Sequence, residues 1–196
     1  MLARRFPRTT VRGDGPVVVV EFTSGPNAEI VPAVLVSDPA DLVHVSCWVP
    51  VTRDGGSWEP ADYGAEYERM TRLDVNTGGQ SSRLIRYMKA WRSNQIVDFK
   101  SVVIELMVAD FMKTWPNDRS SHVFDDWLTR DFLAYAVNQQ EATYTLPSGK
   151  CITPGEDWPV MAYFSYLDAA SACKHSDGSP MYVAYWRRVL GDDFGI

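Results

Sequence analysis

The chain has 196 residues, of which 45% are hydrophobic and 22% are charged, which is enough material for one core and for two subdomains. Its net charge of -6 argues against broad adhesion to nucleic acid or to anionic membranes, although a local basic surface could still bind phosphates. The sequence contains no run of about 18 apolar residues, and its basic N-terminal segment lacks the apolar core of a secretion signal, so it predicts neither a membrane span nor a leader.

The cysteines and histidines give no metal-binding or catalytic pattern. Three cysteines lie far apart without a Cys-x-x-Cys pair, which is typical of reduced thiols in a cytoplasmic protein. The three histidines are scattered, and the sequence has neither a Gly-x-Ser-x-Gly elbow nor a Walker loop. We therefore expect a soluble, cytoplasmic, globular protein that is neither a serine hydrolase nor a P-loop enzyme.

The first quarter of the chain predicts a small β-meander. Two β-branched runs, Val17–Phe22 and Glu29–Val36, are separated by a Ser-Gly-Pro-Asn turn, which is the pattern of a hairpin. A third run, Leu42–Val49, is rich in Val and Trp. Residues 1–15 show no convincing element and end in a predicted turn at Arg12–Gly15.

The rest of the chain is predicted to be mainly helical. Residues 50–64 carry two Pro and three Gly and predict a long loop. Beyond it the apolar spacing predicts six helices and one short hairpin: Glu66–Leu73, Ser81–Asn94, Ser101–Trp115, His122–Asn138, a hairpin about Ser148-Gly149, Val160–Lys174 and Met181–Leu190. The fold class is α+β, with three or four strands in residues 1–64 and a helical bundle in residues 65–196. So few strands beside so many helices indicate a sheet with part of it absent.

The helix at Ser81–Asn94 carries four cations at a spacing of three residues. They are Arg83, Arg86, Lys89 and Arg92. The spacing fits a polyphosphate site in which Lys89 is a point-charge clamp. It also fits an ordinary solvated basic face, and the pattern alone does not decide between the two.

The next helix begins with Ser101 and contains one carboxylate, Glu105, among apolar residues. Ser101 together with the helix amides could bind a phosphate oxygen, or it could be an ordinary N-cap. A carboxylate among apolar residues needs a partner, so we predict an ion pair between Glu105 and an arginine of the preceding helix.

Glu29 begins the second β-branched run, just before apolar residues that must be buried. A carboxylate at this position faces either water, as a solvated strand end, or a site, as one ligand of a metal ion.

Three segments in order, VRGDGPVVVVEF…EIVPAVLV, NTGGQSSRLIRYMKAW and FKSVVIELM, resemble the cGAS/DncV-like nucleotidyltransferases. These are the bacterial enzymes of anti-phage signalling that are similar to oligoadenylate synthases, and the resemblance extends from about Arg8 to Leu190. It implies a nucleotidyltransferase fold and synthesis of cyclic or linear oligonucleotides from nucleoside triphosphates. It also implies Mg²⁺ as the cofactor, because two such ions held by three carboxylates activate the hydroxyl and neutralise the triphosphate.

The resemblance assigns roles to three residues. Glu29 in EIVPA falls on the third metal-binding carboxylate and is therefore the expected catalytic and metal-binding residue. Lys89 in RYMKAW falls on the lysine that contacts the donor triphosphate. Ser101 falls on a serine that begins the following helix and touches the phosphates.

The sequence departs from the family in its first two carboxylates. These come from an Asp-x-Asp strand that follows a Gly-Ser helix start, N-terminal to the third acid. Only 28 residues precede Glu29, and the sequence contains no Asp-x-Asp. Gly56-Ser57 followed by Glu66-x-Glu68 does not replace this motif, because it comes after Glu29 in the chain and not before it. In addition, the sequence around Glu66 and Glu68 predicts a helix, whereas the two acids of the motif need to lie on one face of a strand.

We therefore expect the C-terminal part of a nucleotidyltransferase that lacks two of the three metal-binding carboxylates and is inactive alone. Its partners would be nucleoside triphosphates and a missing N-terminal half or an accessory defence protein. The alternative is a non-catalytic nucleotide-binding or partner-docking module derived from the family. With part of the sheet missing, we also expect an exposed apolar face around Val17–Val20 and Ile30–Val36.

Overall fold

The structure is a computed structural model that describes residues 2–5, 9–14, 16–36, 46–52, 55–98, 100–116, 122–156 and 158–195. The chain forms two compact units. The first consists of Met1–Tyr67 with Pro147–Lys150, and the second of Glu68–Leu146 with Cys151–Ile196. The domain limits predicted from the sequence, at residues 64 and 65, stay a prediction.

The first unit is built from short antiparallel strands. Its described elements are α1 (Leu2–Arg5), β1 (Thr10–Asp14), β2 (Val17–Glu21), β3 (Ala28–Ile30), β4 (Val34–Leu35), β5 (Ser46–Val51) and β6 (Ser57–Asp62). They pair as two three-stranded sheets, one in the order β1-β2-β3 and the other in the order β4-β5-β6. This confirms the predicted β part and its hairpin between β2 and β3, but the described residues form six strands where the sequence predicted three or four.

The run Glu29–Val36 is not one strand, as predicted, but two strands in different sheets. β3 pairs with β2, whereas β4 pairs with β5. Pro32 lies between them, and proline has no N–H to donate to a ladder, so the strand breaks there. Of the predicted strand Leu42–Val49, residues 42–45 lie outside the described residues, and β5 begins at Ser46.

Two further predictions in the first unit were wrong. The segment predicted as a turn, Arg12–Gly15, is largely strand, since Arg12 pairs with Val19 in the β1–β2 ladder, while Gly15 lies outside the described residues. The predicted loop at residues 50–64 contains β6, which forms a six-pair ladder with β5. In both cases the partner strand supplies the backbone hydrogen bonds that the local sequence does not predict.

The predicted apolar face is only half present. Val19 and Val20 are 3% and 1% exposed, so that part of the prediction was wrong. The later part is exposed, with Val34 at 53%, Leu35 at 56% and Val36 at 60%. The apolar strip that remains, Val34–Val36, lies on and just after β4.

The second unit is helical. Its described elements are the greater part of α2 (Tyr63–Asn76), α3 (Gln80–Asn94), α4 (Ser101–Phe111), a 3₁₀ turn (His122–Phe124), α5 (Asp125–Ala136), β7 (Tyr144–Thr145), β8 (Cys151–Ile152), α6 (Pro159–Ala172) and α7 (Pro180–Leu190). These confirm the predicted helical part and its short hairpin. None of the described helices combines the length and the apolar character needed to cross a bilayer.

The core of the second unit centres on α3 and α4. The α3 stripe of Leu84, Met88 and Trp91 is at most 1% exposed, and the Trp91 indole N–H donates to the Ser165 hydroxyl of α6 at 2.8 Å. α4 is buried over most of its circumference, as its nearly continuous apolar sequence predicts. Burying a large apolar side chain stabilises a fold by about 1.5–3 kcal/mol, so this stripe fixes how α3 is oriented.

The turn between α2 and α3 is closed by Asp74. Its carboxylate accepts hydrogen bonds from the Ser81 hydroxyl at 3.1 Å and from the Ser82 backbone N–H at 3.0 Å. Gly79, the N-cap of α3, has no side chain to offer, so Asp74 satisfies an N–H that would otherwise lack an intrahelical partner. Burial would raise the pKa of Asp74, but the hydrogen bonds from Ser82 and Ser81, with the charge of Arg86, outweigh it and lower the pKa.

We expect Asp74→Asn to lower the free energy of unfolding at pH 7 by about 0.3–1 kcal/mol, the contribution of a negative charge near a helix N-terminus, because the amide oxygen of Asn can still accept both hydrogen bonds. Because the pKa is lowered in the folded state, this stabilisation is present above the ordinary pKa of 3.8 and is lost as the pH falls through the folded value. Urea unfolding of both proteins between about pH 7 and pH 3 measures the difference. An undiminished difference at the acid end would contradict the assignment, and the exposed Asp193→Asn is the matched control.

Candidate functional site

Two polar contacts join α3 to α4. The Lys89 ammonium donates to Glu105 Oε1 at 2.8 Å, and the Arg92 guanidinium donates to the Ser101 hydroxyl at 2.9 Å. Lys89 and Arg92 are three residues apart on α3, and Ser101 and Glu105 are four apart on α4, so each pair lies on one helix face. We call these four residues the α3–α4 seam.

The seam changes two of the sequence predictions. Glu105 does form an ion pair with the preceding helix, but its partner is Lys89 and not an arginine. Ser101 is not the N-cap of α4. That position belongs to Lys100, whose side chain makes no capping hydrogen bond, and the Ser101 hydroxyl is bonded to Arg92 instead. The first backbone N–H groups of α4 are therefore not capped by the side chain of their N-cap residue.

The Lys89–Glu105 pair is accessible to solvent. The Lys89 side chain is 40% exposed and that of Glu105 is 30% exposed. Water screens an ion pair of this kind, so it contributes little to stability and its partners can be exchanged at low cost.

Arg83, at the start of the same helix, is held much more firmly. Its Nε and Nη2 donate to the two Asp125 oxygens of α5 at 2.8 and 3.1 Å, and the Tyr87 hydroxyl donates to the same carboxylate at 3.2 Å. The Arg83 and Asp125 side chains are 13% and 14% exposed. The cations of α3 therefore do not form one polyphosphate site or one solvated face. Arg83 is a structural cation, whereas Lys89 lies in an exposed seam.

Glu29 lies in β3, at the end of the strand order β1-β2-β3. It is exposed and pairs directly with Val19, which in turn pairs with Arg12. Directly opposed residues share a face of an antiparallel sheet, so these three side chains form one row.

A second carboxylate, Glu21, shares this face because it follows Val19 by two residues on β2. Glu21 accepts a hydrogen bond from Arg12 Nε at 2.7 Å. Arg12 and Glu21 are diagonal neighbours on adjacent strands. Such residues lie about 7–8 Å apart, within reach of long side chains. Glu21 was not predicted from the sequence, although a carboxylate that ends the β-branched run VVVVE is the signal that could have identified it.

These residues do not amount to a magnesium site. The described part of the chain contains no group of three His, Cys, Asp or Glu side chains that could hold a metal ion. Glu21 is neutralised by Arg12, which leaves Glu29 as one carboxylate where a two-ion site needs several oxygen ligands. The role of Glu29 as a metal ligand stays a prediction.

Of the three residues that the sequence singled out, two belong to the same helix interface. Lys89 and Ser101 both lie in the α3–α4 seam of the second unit, where Lys89 contacts Glu105 and Ser101 contacts Arg92. Glu29 belongs to the sheet of the first unit.

Comparison with solved structures shows several proteins of similar fold. CdnC of E. coli MS115-1 in a structure with ATP has a TM-score of 0.65 and 19% identity, over 97% of this chain and 69% of that one. The CdnC:HORMA-deltaN complex of the same strain gives a TM-score of 0.63 and 19% identity, over 97% of this chain and 68% of that one. Vibrio cholerae DncV cyclic AMP-GMP synthase, solved with the linear intermediate 5′ pppA(3′,5′)pG, gives 0.77 and 11%, over 97% and 55%.

No protein-family model and no curated protein matches the chain. At 11–19% identity the structural matches establish the fold, and the chain spans little more than half the length of DncV. The chain therefore has the fold that CdnC and the cyclic AMP-GMP synthase DncV share, as the resemblance in sequence predicted.

We expect the two ion pairs of α3 to differ sharply in their contribution to stability. Arg83→Met removes the bidentate partner of a largely buried carboxylate and should cost about 3 kcal/mol. Lys89→Met, in the exposed seam, should cost less than about 1 kcal/mol. Urea unfolding of the two variants measures both values. Equal losses would show that the seam is as structural as the Arg83–Asp125 pair.

Proposed function

We propose that the chain is the nucleotide-binding part of a nucleotidyltransferase that makes cyclic or linear oligonucleotide second messengers from nucleoside triphosphates in anti-phage defence. One observation carries the proposal. The two residues that the resemblance assigns to the triphosphate, Lys89 and Ser101, both lie in the α3–α4 seam. The fold that contains this seam is shared with proteins solved with ATP and with pppApG.

The chemistry of the seam suits a triphosphate. It presents an ammonium, a guanidinium and a hydroxyl, beside the first backbone N–H groups of α4, which the side chain of the N-cap residue Lys100 does not cap. Phosphate oxygens accept hydrogen bonds from all of these groups, and the helix N-terminus favours their negative charge. In this proposal the triphosphate replaces Glu105 as the partner of Lys89, at low cost because the ion pair is exposed.

In this proposal Glu29 supplies one carboxylate to a magnesium site, and the remaining carboxylates come from outside the described residues. They belong either to a further part of the same enzyme or to a separate polypeptide. The 196-residue chain by itself would then bind nucleotides without joining them. We place this function in the cytoplasm, since Cys47, Cys151 and Cys173 are all free thiols.

A second candidate is a non-catalytic module that docks on a protein partner. The observation that favours it is the apolar strip Val34–Val36, because exposed apolar strand residues are typical of interaction surfaces. CdnC, which has a similar fold, was solved in a complex with HORMA-deltaN. The two candidates differ in whether the seam binds triphosphate.

We expect the purified chain to release no pyrophosphate above background when incubated with ATP, GTP, CTP and UTP and Mg²⁺. One carboxylate cannot position the metal ions that neutralise the departing pyrophosphate. A coupled pyrophosphate assay measures this. Robust release by the chain alone would overturn the claim that the site is incomplete. If that release persisted in Glu29→Gln, the role of Glu29 would be wrong as well.

We expect ATP to bind to the chain, and the α3–α4 seam to control its affinity. Lys89→Ala should weaken binding by about tenfold, through loss of a charge-assisted contact. Glu105→Gln should strengthen it by roughly threefold or more, because the competing carboxylate no longer holds the Lys89 ammonium. Isothermal titration calorimetry measures both changes.

The matched control is Lys113→Ala, which removes a more exposed lysine that is likewise ion-paired, with Asp110 of α4. Its affinity for ATP should be unchanged. If ATP binds and Lys89→Ala has no effect, the phosphate role of Lys89 is wrong. If ATP does not bind at millimolar concentration, the docking module becomes the better account.

A further inference from the structure

The second unit contains a cavity of about 310 Å³ that the proposed nucleotide site does not use. Its lining includes the aromatic residues Tyr182, Trp186 and Phe194 and the acidic residues Asp125 and Asp126. A volume of this size is enough for a small molecule, and a mostly apolar wall with a few polar groups is typical of binding pockets.

The three rings form a wall with differently directed faces. Their centroids lie 6.2 Å apart for Tyr182–Trp186, 6.3 Å for Tyr182–Phe194 and 6.0 Å for Trp186–Phe194. The planes are inclined to each other by 66°, 47° and 40°, so no two are parallel. Rings set at such angles present more than one π-face to the same space, which is the arrangement that binds organic cations.

The positions of the three rings are fixed by α7 and by the segment that follows it. Tyr182 and Trp186 are four residues apart on α7, and Trp186 is only 2% exposed. Phe194 returns to this helix after the chain reverses at Gly191, whose φ of 104° lies in the region that favours glycine. The Arg187 Nε donates to the Phe194 carbonyl at 3.0 Å and fixes the return.

The two carboxylates of the cavity differ in whether a cationic side chain balances their charge. Asp125 is neutralised by Arg83. Asp126 has no lysine or arginine within ion-pair distance in the described part of the chain, and it accepts hydrogen bonds from the Trp127 backbone N–H at 2.8 Å and from the Cys173 thiol. The neighbouring Arg130 is directed to Asp131, at 2.7 and 2.8 Å. Burial raises the pKa of Asp126, and the charge of Asp177 adds to that effect.

We propose that this cavity binds a small organic ammonium cation, with the Asp126 carboxylate as its counter-ion and the rings of Tyr182, Trp186 and Phe194 as its walls. The described residues that line the cavity include no lysine and no arginine, so the lining offers an anion no cationic side chain to offset the two carboxylates. A metal ion is not a match either, since the rings offer it no ligands. This site is independent of the nucleotide proposal and holds or fails separately.

The test uses two probes of the same shape, choline and its uncharged carbon isostere 3,3-dimethylbutan-1-ol. Both are titrated into the 196-residue protein by calorimetry, and saturation-transfer NMR reports whether the trimethyl group contacts aromatic protons. We expect choline to bind at least about tenfold more tightly than the isostere, since only choline has the charge that the rings and Asp126 attract.

Two variants test the assigned residues. Asp126→Asn, which keeps the shape and removes the charge, should weaken choline binding about tenfold, and Phe194→Ala should weaken it severalfold. Asp192→Asn removes an equal charge from an exposed position and should change nothing. Lys89→Ala should also leave choline binding intact, which separates this proposal from the nucleotide site.

Three outcomes would overturn the proposal: no choline binding at millimolar concentration, equal affinity for choline and the isostere, or choline binding that Asp126→Asn does not weaken. If Asp126→Asn fails to give a cooperative thermal transition, the isostere comparison and Phe194→Ala decide the matter in the folded protein.

Discussion

The burial of the stripe formed by Leu84, Met88 and Trp91 determines what the rest of α3 can do. Successive residues of an α-helix are 100° apart, so fixing this stripe against the core fixes both flanks of the helix. Arg83 lies on one flank, where it reaches Asp125 of α5. Lys89 lies on the other flank, where it reaches Glu105 of α4. One packing constraint therefore directs the two cations to different helices.

The two flanks differ in access to water, and that difference separates a structural role from a functional one. At 13% and 14% exposure, the Arg83–Asp125 pair has lost most of its hydration, and removing one member leaves a largely buried charge. The Lys89–Glu105 pair retains its hydration, and an incoming anion can replace Glu105 without that penalty. The same contrast exists at the cavity, where Asp125 has its arginine and Asp126 does not.

The sequence pattern predicted correctly those elements whose structure is determined by the spacing of their own residues. The period of α3 and the apolar sequence of α4 predicted both helices and an ion pair between Glu105 and the preceding helix, although the partner is Lys89 and not the predicted arginine. β1 and β6 were missed because pairing with a neighbouring strand makes them strands, and β6 even contains Pro60, which an edge strand tolerates. The aromatic cavity was missed because its members come from α3, α5, α7 and the segment beyond α7. Only the Tyr182–Trp186 spacing was visible in the sequence.

The position of Glu29 explains how one carboxylate could still belong to a larger site. β3 ends the described strand order, so its outer edge can accept a further strand. In such a pairing a residue opposite Glu29 would have its Cβ about 4.5–5.5 Å away on the same face of the sheet. Carboxylates at that separation can share a metal ion. Glu21, by contrast, lies on β2 and already forms an ion pair with Arg12. In the proposed enzyme, the remaining metal-binding carboxylates therefore need to lie beside the outer edge of β3, the strand that carries Glu29.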